Sequence, residues 1–132
     1  MELTIITPHK KLVENEPADE FFFPGVEGQL NVLPEHANFV TQLETGVISW
    51  RKGAVLKKAA ISFGWLEIFK DQVTVLADVS ELSSDIDLTR AKNAEKESRK
   101  KIEEGGLDNA DFEKMELKLK RSLARQSTSE GL

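Results

Sequence analysis

The chain has 132 residues, of which 39% are hydrophobic and 31% charged, with no cysteine and a net charge of −5. That length holds one domain, or one domain and an appendage; the composition excludes disulfides, thiol nucleophiles and cysteine-based metal sites, and no stretch nears the ~18 consecutive apolar residues of a membrane span. Residues 1–84 carry 7 basic and 12 acidic side chains and residues 85–132 carry 11 of each, so the acidic body argues against DNA or RNA as a partner.

The N-terminus, MELTIITPHKKL, has no basic region followed by an apolar core and is not the Arg- and Ser-rich amphipathic type, so neither a secretory nor an import signal is read there and a cytoplasmic location is expected. Strand-like runs then follow at short spacing: Leu3–Thr7, Lys11–Glu14, Glu20–Phe23, Gln29–Leu33, Phe39–Leu43, Val47–Trp50, Ala54–Ala60, Ile61–Phe69 and Val73–Ala77. Turn-forming clusters separate them, among them Pro24-Gly25-Val26-Glu27-Gly28 and Pro34-Glu35-His36-Ala37-Asn38. Many short strands with frequent turns predict a β-sandwich or barrel. Its expected core is Ile5, Phe21, Phe23, Leu30, Leu33, Val47, Ile61, Phe63, Leu66, Ile68, Val73 and Val75. Phe21, Phe22 and Phe23 cannot all face one side of a sheet, which makes Phe22 a candidate exposed aromatic. Trp65 is a second, with Trp50 behind it.

Near residue 84 the pattern changes to helix formers and charges. Ser83-Ser84-Asp85-Ile86-Asp87 supplies cap residues and acids, and Asp87 to Glu104 reads as a helix. Glu95/Arg99 and Glu97/Lys101 are i,i+4 pairs in the favourable order. Gly105-Gly106 stops that helix; Asp108 or Asn109 caps a second one, read to about Gln126, with Ser127–Leu132 as a disordered tail. Two helices joined by a short Gly-containing loop predict an antiparallel hairpin. The fold class expected is α+β, with a β-sandwich over 1–84 and the hairpin and tail over 85–132.

The first helix has a thin stripe of small residues, Leu88, Ala91, Ala94 or Glu95, Ser98 and Ile102. The second has Phe112, Met115, Leu119 and Leu123 on one face, Ala110, Leu117 and Ala124 on roughly the opposite one, and a basic stripe of Lys114, Lys118, Arg121 and Arg125. A helix apolar on two sides has two partners or exchanges one for another. The basic stripe reads either as a solvated face or as a contact for an acidic protein segment or a phosphate.

No nucleotide-binding glycine motif, HExxH or GxSxG is present, and neither His9 nor His36 belongs to an identifiable catalytic set. An enzyme is therefore not expected, nor a metal site. The turn region around His36 reads as two hairpin loops with His36 making a turn hydrogen bond, or as a partner-facing edge.

FFFPGVEGQLNVLPEHANFVTQLETGVI, then ISFGWLEIFKDQVTVLADVSEL, then SSDIDLTRAKNAE together resemble the epsilon subunit of bacterial F-type ATP synthase over nearly the whole chain. The resemblance implies a ten-stranded β-sandwich and a two-helix hairpin without an active site. It implies a rotor subunit of the central stalk, coupling ion-driven ring rotation to ATP synthesis and restraining ATP hydrolysis through its helices. The expected partners are the gamma subunit, the c-subunit ring and, with the hairpin extended, the alpha/beta head; membrane association, at the cytoplasmic face of the bacterial membrane, comes only through the complex. Carried over by position, Glu27, Gly28, Gln29 and Asn31 face the ring, and His36, Phe22 and Trp65 face gamma. Lys114, Lys118, Arg121 and Arg125 meet the beta subunit. No cofactor is required, but ATP is implied as a weak regulatory ligand of Ile86, Asp87, Arg90, Ala91, Arg121 and Arg125. Asp87 is alternatively a helix cap and Arg90 a surface base. The chain departs from the pattern at Gln29 (an acid), Asn31 (Gly), Asn38 (Pro) and Glu97 (Arg in good ATP binders), and it has SFGW where the pattern has SGGF.

Overall fold

In the computed structural model, which describes residues 1–129, eight strands precede two helices. They are β1 (Glu2–Ile6), β2 (Lys11–Pro17), β3 (Glu20–Gly25), β4 (Gly28–Val32), β5 (Phe39–Leu43), β6 (Gly46–Lys52), β7 (Val55–Phe69) and β8 (Gln72–Leu82). A 3-10 turn at Ser83–Asp85 leads into α1 (Leu88–Glu104) and α2 (Asn109–Ser129). The α+β class holds, but the strand number is eight rather than ten. Two segments read as separate, Ala54–Ala60 and Ile61–Phe69, are one 15-residue strand.

The long strands make the sandwich. The first half of β7 pairs with β6, from Gly46↔Ile61 to Lys52↔Val55. The second half pairs with β5, from Leu43↔Gly64 to Phe39↔Ile68. β8 accompanies β7 along both halves and also takes β1 as a parallel neighbour. β7 and β8 thus pass from one layer to the other, with a seam at Ser62–Gly64. At this seam β7 breaks the alternation expected of a strand, and Ala59 to Ser62 are four buried residues in a row.

The core lies between the layers. Trp50, Phe21, Phe23, Leu3, Ile5, Leu43, Ile48, Ile61, Leu66 and Ile68 are its largest fully buried side chains. The Phe21 and Phe23 rings stack at 5.8 Å. Two expected core residues lie outside it. Leu33 is 51% exposed, because Val32 takes the inward position and alternation turns its neighbour out. Phe63 is 41% exposed, because it adopts φ +56° at the seam. Leu30 and Val47 are only half-buried.

Asp87 caps α1, its carboxylate accepting from the Arg90 N–H at 3.0 Å. Gly105 and Gly106, with φ of +71° and +75°, end that helix where a side chain would be strained. Asp108 caps α2 by accepting from Asp111 N–H at 2.7 Å. α2 runs past Gln126 to Ser129 with Thr128 buried, so the expected tail is helical through residue 129; its remainder, 130–132, lies outside the described residues.

Candidate functional site

The helices fold back so that α2 lies over β6 and β7. Ser122, Ala124 and Thr128 are its buried residues, and Ala124 lies with Arg121 and Arg125 against Ala60, Ser62, Val79 and Glu81 of the sandwich. Both arginines bond to the sandwich. The Arg121 Nε donates to Ser62 Oγ at 2.6 Å, and Ser62 Oγ lies 3.3 Å from Thr45 Oγ1. The Arg125 Nε donates to Glu81 Oε1 at 2.7 Å, forming an ion pair about one-third exposed on each side. Ala60, Ser62, Val79, Glu81 and Ala124 enclose, with the arginines, a space of about 10 Å³. That is the size of one water and far below a nucleotide.

The two helices are held together in the same style. Ala91 and Ser98 are the buried residues of α1. Lys118 of α2 pairs with Glu97 of α1 at 3.2 Å, and Lys101 pairs with the same carboxylate at 3.4 Å. The hydrogen bond from Lys118 and then that from Lys101 hold the Glu97 carboxyl below the usual glutamate range. Glu95 is lowered likewise, chiefly by the Gln126 side-chain amide of α2 and then by Arg99. The apolar face of α2 is left to solvent at both ends, with Phe112 and Leu123 exposed. Of the stripe Phe112, Met115, Leu119 and Leu123, the two ends are thus exposed and the middle is half-buried; of the opposite stripe, Ala124 is buried, Leu117 half-buried and Ala110 exposed.

The basic stripe divides accordingly. Arg121 and Arg125 are spent on the sandwich and Lys118 on α1, while Lys114 lines a shallow cleft with Lys101, Glu104, Asp111 and Met115. Ile86 is half-buried beyond the 3-10 turn, Asp87 is engaged as a cap, Arg90 is exposed and Ala91 is buried. No hydrogen bond or ion pair joins that group to Arg121 and Arg125 among the described residues.

Glu27, Gly28 and Gln29 stand together and exposed at the tip of the β3–β4 hairpin. Exposed Val26 sits beside them, an apolar neighbour the sequence reading passed over. Asn31 lies further down β4, its amide 3.4 Å from Glu20 Oε2. His36 makes the expected turn contact, Nδ1 to Ala37 O at 2.8 Å, with its ring against the edge of Phe39. Trp65 is 53% exposed between Gln42 and Leu76 in the ladder. Phe22 is half-buried beside Asn31 and Ser49, on the other half of the sandwich. His36 and Trp65 thus belong to one half and Phe22 to the other.

Ser62, Thr45 and Glu81 were not singled out from the sequence, and Glu95 was read only as a partner of Arg99 and a member of the first-helix stripe, not as a contact of Gln126. Nothing in local spacing marks Ser62, which lies 59 positions from Arg121.

A β-sandwich with a two-helix hairpin folded back against it is the class of protein this fold defines. Residues 1–83 match the family described as the beta-sandwich domain of the ATP synthase delta/epsilon chain, and residues 84–130 match its long alpha-helix domain. The chain belongs to the delta/epsilon chain family of ATP synthase. It is 36% identical over 125 residues to the ATP synthase epsilon chain of Halalkalibacterium halodurans, covering 95% of this chain and 93% of that one. It is 36% identical over 130 residues to that of Syntrophobacter fumaroxidans, covering 98% and 96%. These relatives are the epsilon chain of the synthase, and the chain, as a member of their family, is not a catalytic subunit. Among solved structures, the Euglena gracilis mitochondrial ATP synthase OSCP/F1/c-ring assembly contains a chain with TM-score 0.83 and 22% identity, covering 96% of this chain and 79% of that one. A Tetrahymena thermophila central stalk/c-ring chain gives 0.63 and 15%, covering 98% and 96%. At such identities the likeness concerns the fold. No helix among the described residues is long and apolar enough to cross a membrane.

Proposed function

We propose that the chain is a rotor subunit of the central stalk that couples ion-driven rotation of the c ring to ATP synthesis, and that its arm restrains ATP hydrolysis when it leaves the sandwich. The observation that carries this reading is the manner of docking. α2 is held by two arginine contacts and by small side chains, while Phe112 and Leu123 remain exposed. An exposed ion pair contributes about 0–1 kcal/mol. Small residues remove little apolar area from water, at roughly 25 cal/mol per Å². A partner offering Phe112, Leu119 and Leu123 an apolar surface, and Arg121 and Arg125 an acidic segment, can therefore compete with the sandwich. The beta subunit of the head is that partner in this reading. Gamma would take the Trp65 and His36 side, and the ring the Glu27–Gln29 tip, which brings the chain to the cytoplasmic face of the membrane without inserting in it.

The test is ATP hydrolysis by a catalytic core depleted of its own epsilon subunit. The full chain is expected to slow hydrolysis. A chain ending at Ser84 is expected to bind without slowing it, since every residue of the sandwich core precedes that point. Equal inhibition by both would remove the arm from the mechanism, and failure of either to join a gamma-containing core at micromolar concentration would remove the rotor role.

A further inference from the structure

Phe63 occupies a backbone conformation that L-residues avoid, at φ +56°. For a non-glycine residue this costs roughly 1–2 kcal/mol, and glycine is the residue such a position favours. The ladder brackets it: Ser62 pairs with Val79 and Gly64 with Ala77, while Phe63 itself stands out of register pairing. Strain of this kind persists only where the surroundings enforce it, and it concentrates where structure is put to use.

The ring of Phe63 is a wall of two clefts. One, of about 570 Å³, lies between the arm and the sandwich and is lined also by Glu44, Thr45, Glu116, Leu117 and Lys120. The other, of about 400 Å³, opens on the outer face beside Ile6, Pro8, Gln42, Trp65 and Leu76. The residues flanking Phe63 are held unequally. Ser62 accepts the Arg121 hydrogen bond from the arm. Gly64 is pressed against β8 so closely that a Cβ there would lie 2.5 Å from the Leu76 carbonyl oxygen. When the arm departs, Ser62 loses its partner and Phe63 loses the Leu117 side of its cleft, while Gly64 has no room to absorb the change. The freedom gained falls on the Phe63 side chain, whose other face meets the Trp65 and Leu76 surface.

We propose that Phe63 couples the arm to the outer apolar surface, so that docking of α2 sets the surroundings of Trp65 through this one side chain. The proposal rests on the reading above that the arm leaves the sandwich.

The full-length chain carries its own reporter, because its two tryptophans give two indole N–H resonances. Trp50 is buried with its Nε1 donating to Glu16, whereas Trp65 is exposed beside Phe63. The arm is released in one variant by Arg121→Ala with Arg125→Ala, and in a second by Ala124→Glu, which puts a charge into the docked face. Amide exchange in α2 reports release independently. In both variants the Trp65 indole resonance is expected to move while Trp50 stays in place. In a Phe63→Gly background, whose backbone suits glycine and so keeps its fold, the same release is expected to leave Trp65 where it is in the docked Phe63→Gly protein. A released arm with Trp65 unmoved overturns the coupling but not the detachable arm. A Trp65 response that survives Phe63→Gly overturns Phe63 as its route. Protection of α2 that persists in both release variants overturns the docked contacts themselves, and both readings with them.

Discussion

Lys70 and Asp71 form the two-residue turn between β7 and β8 with φ of +47° and +64°. Two positive φ values define a type I′ turn, which suits Asn-Gly far better than Lys-Asp. Asp71 has a reason to stay: its carboxylate accepts from Glu35 N–H at 3.3 Å and its carbonyl from Glu2 N–H at 3.1 Å. The Lys70 side chain contributes only an ammonium 5.4 Å from the Phe69 ring, and the bond its backbone N–H donates to Asn38 Oδ1 at 3.1 Å does not depend on that side chain. Lys70→Asn is therefore expected to stabilise the chain by about 0.5 kcal/mol, read as a higher urea midpoint with unchanged slope. Gly64→Ala works the other way. Its Cβ would meet the backbone of β8, which cannot yield as a side-chain tip can, so a loss of about 1–3 kcal/mol is expected in the same measurement. Neither position could be ranked from the sequence. SFGW showed a glycine replaced by phenylalanine, but the left-handed φ that gives the replacement its cost belongs to the seam, which exists only once β5, β6 and β8 have taken their places on β7.

The helical hairpin is the element whose local signals were easiest to read. Asp87 and Asp108 cap, Gly105 and Gly106 stop, and Glu95/Arg99 and Glu97/Lys101 pair as their spacing requires, because each of these interactions spans at most four residues. What joins the helices to each other and to the body spans tens of residues and leaves no local mark; Glu97–Lys118 and Arg125–Glu81 are examples. The carboxyls of Glu95 and Glu97 are lowered in the folded chain, so each binds its proton more weakly there than when unfolded. Their contribution is thus complete above the ordinary glutamate range and is lost as pH falls through and below about 4.3. Amide protection in α1 and α2 is expected to fall in that acid window before protection in the sandwich does; simultaneous loss would show that these carboxyls do not hold the hairpin. ATP has little free chemistry to meet in the docked arm. Asp87 is used as a cap, Arg121 and Arg125 face Ser62 and Glu81, and Glu97 carries a negative charge. Calorimetric titration of the chain with ATP is expected to give millimolar affinity or no heat, and micromolar binding would require the arginines to leave the sandwich for the ligand.

At the scale of the whole molecule, the body builds its core without the arm. The core between the two layers contains side chains from β1 to β8 and the β2–β3 corner and none from α1 or α2. A chain ending at Ser84 is expected to keep a cooperative urea transition with a midpoint close to that of the full chain, and a collapse of that transition would mean that the arm is part of the fold. The β-rich body was legible as such because its turns and short apolar runs recur, but the number of strands was not. Hydrophobic alternation breaks at Ala59–Ser62, which looks like a strand end and is instead the place where β7 crosses between layers, with Ala60 and Ser62 buried on the arm side. A run buried from both sides cannot be told from a boundary by periodicity alone.

The parallel pairing of β1 with β8 bears on how the chain is made. Leu3 to Ile6 can form their hairpin with β2 as soon as both are synthesised, but their other edge waits for Val73 to Leu76. At roughly 5–20 residues per second that edge stays open for about 4–15 s, an interval in which an unpaired apolar strand invites pairing with another nascent chain. The opposite edge, which remains open in the finished fold, is guarded by the left-handed Asn15, by Pro17 and by the charges of Lys11 and Glu14. The temporary edge, Leu3 to Ile6, carries no charge, proline or left-handed residue of that kind, so slower translation between β1 and β8 lengthens the time it stands exposed.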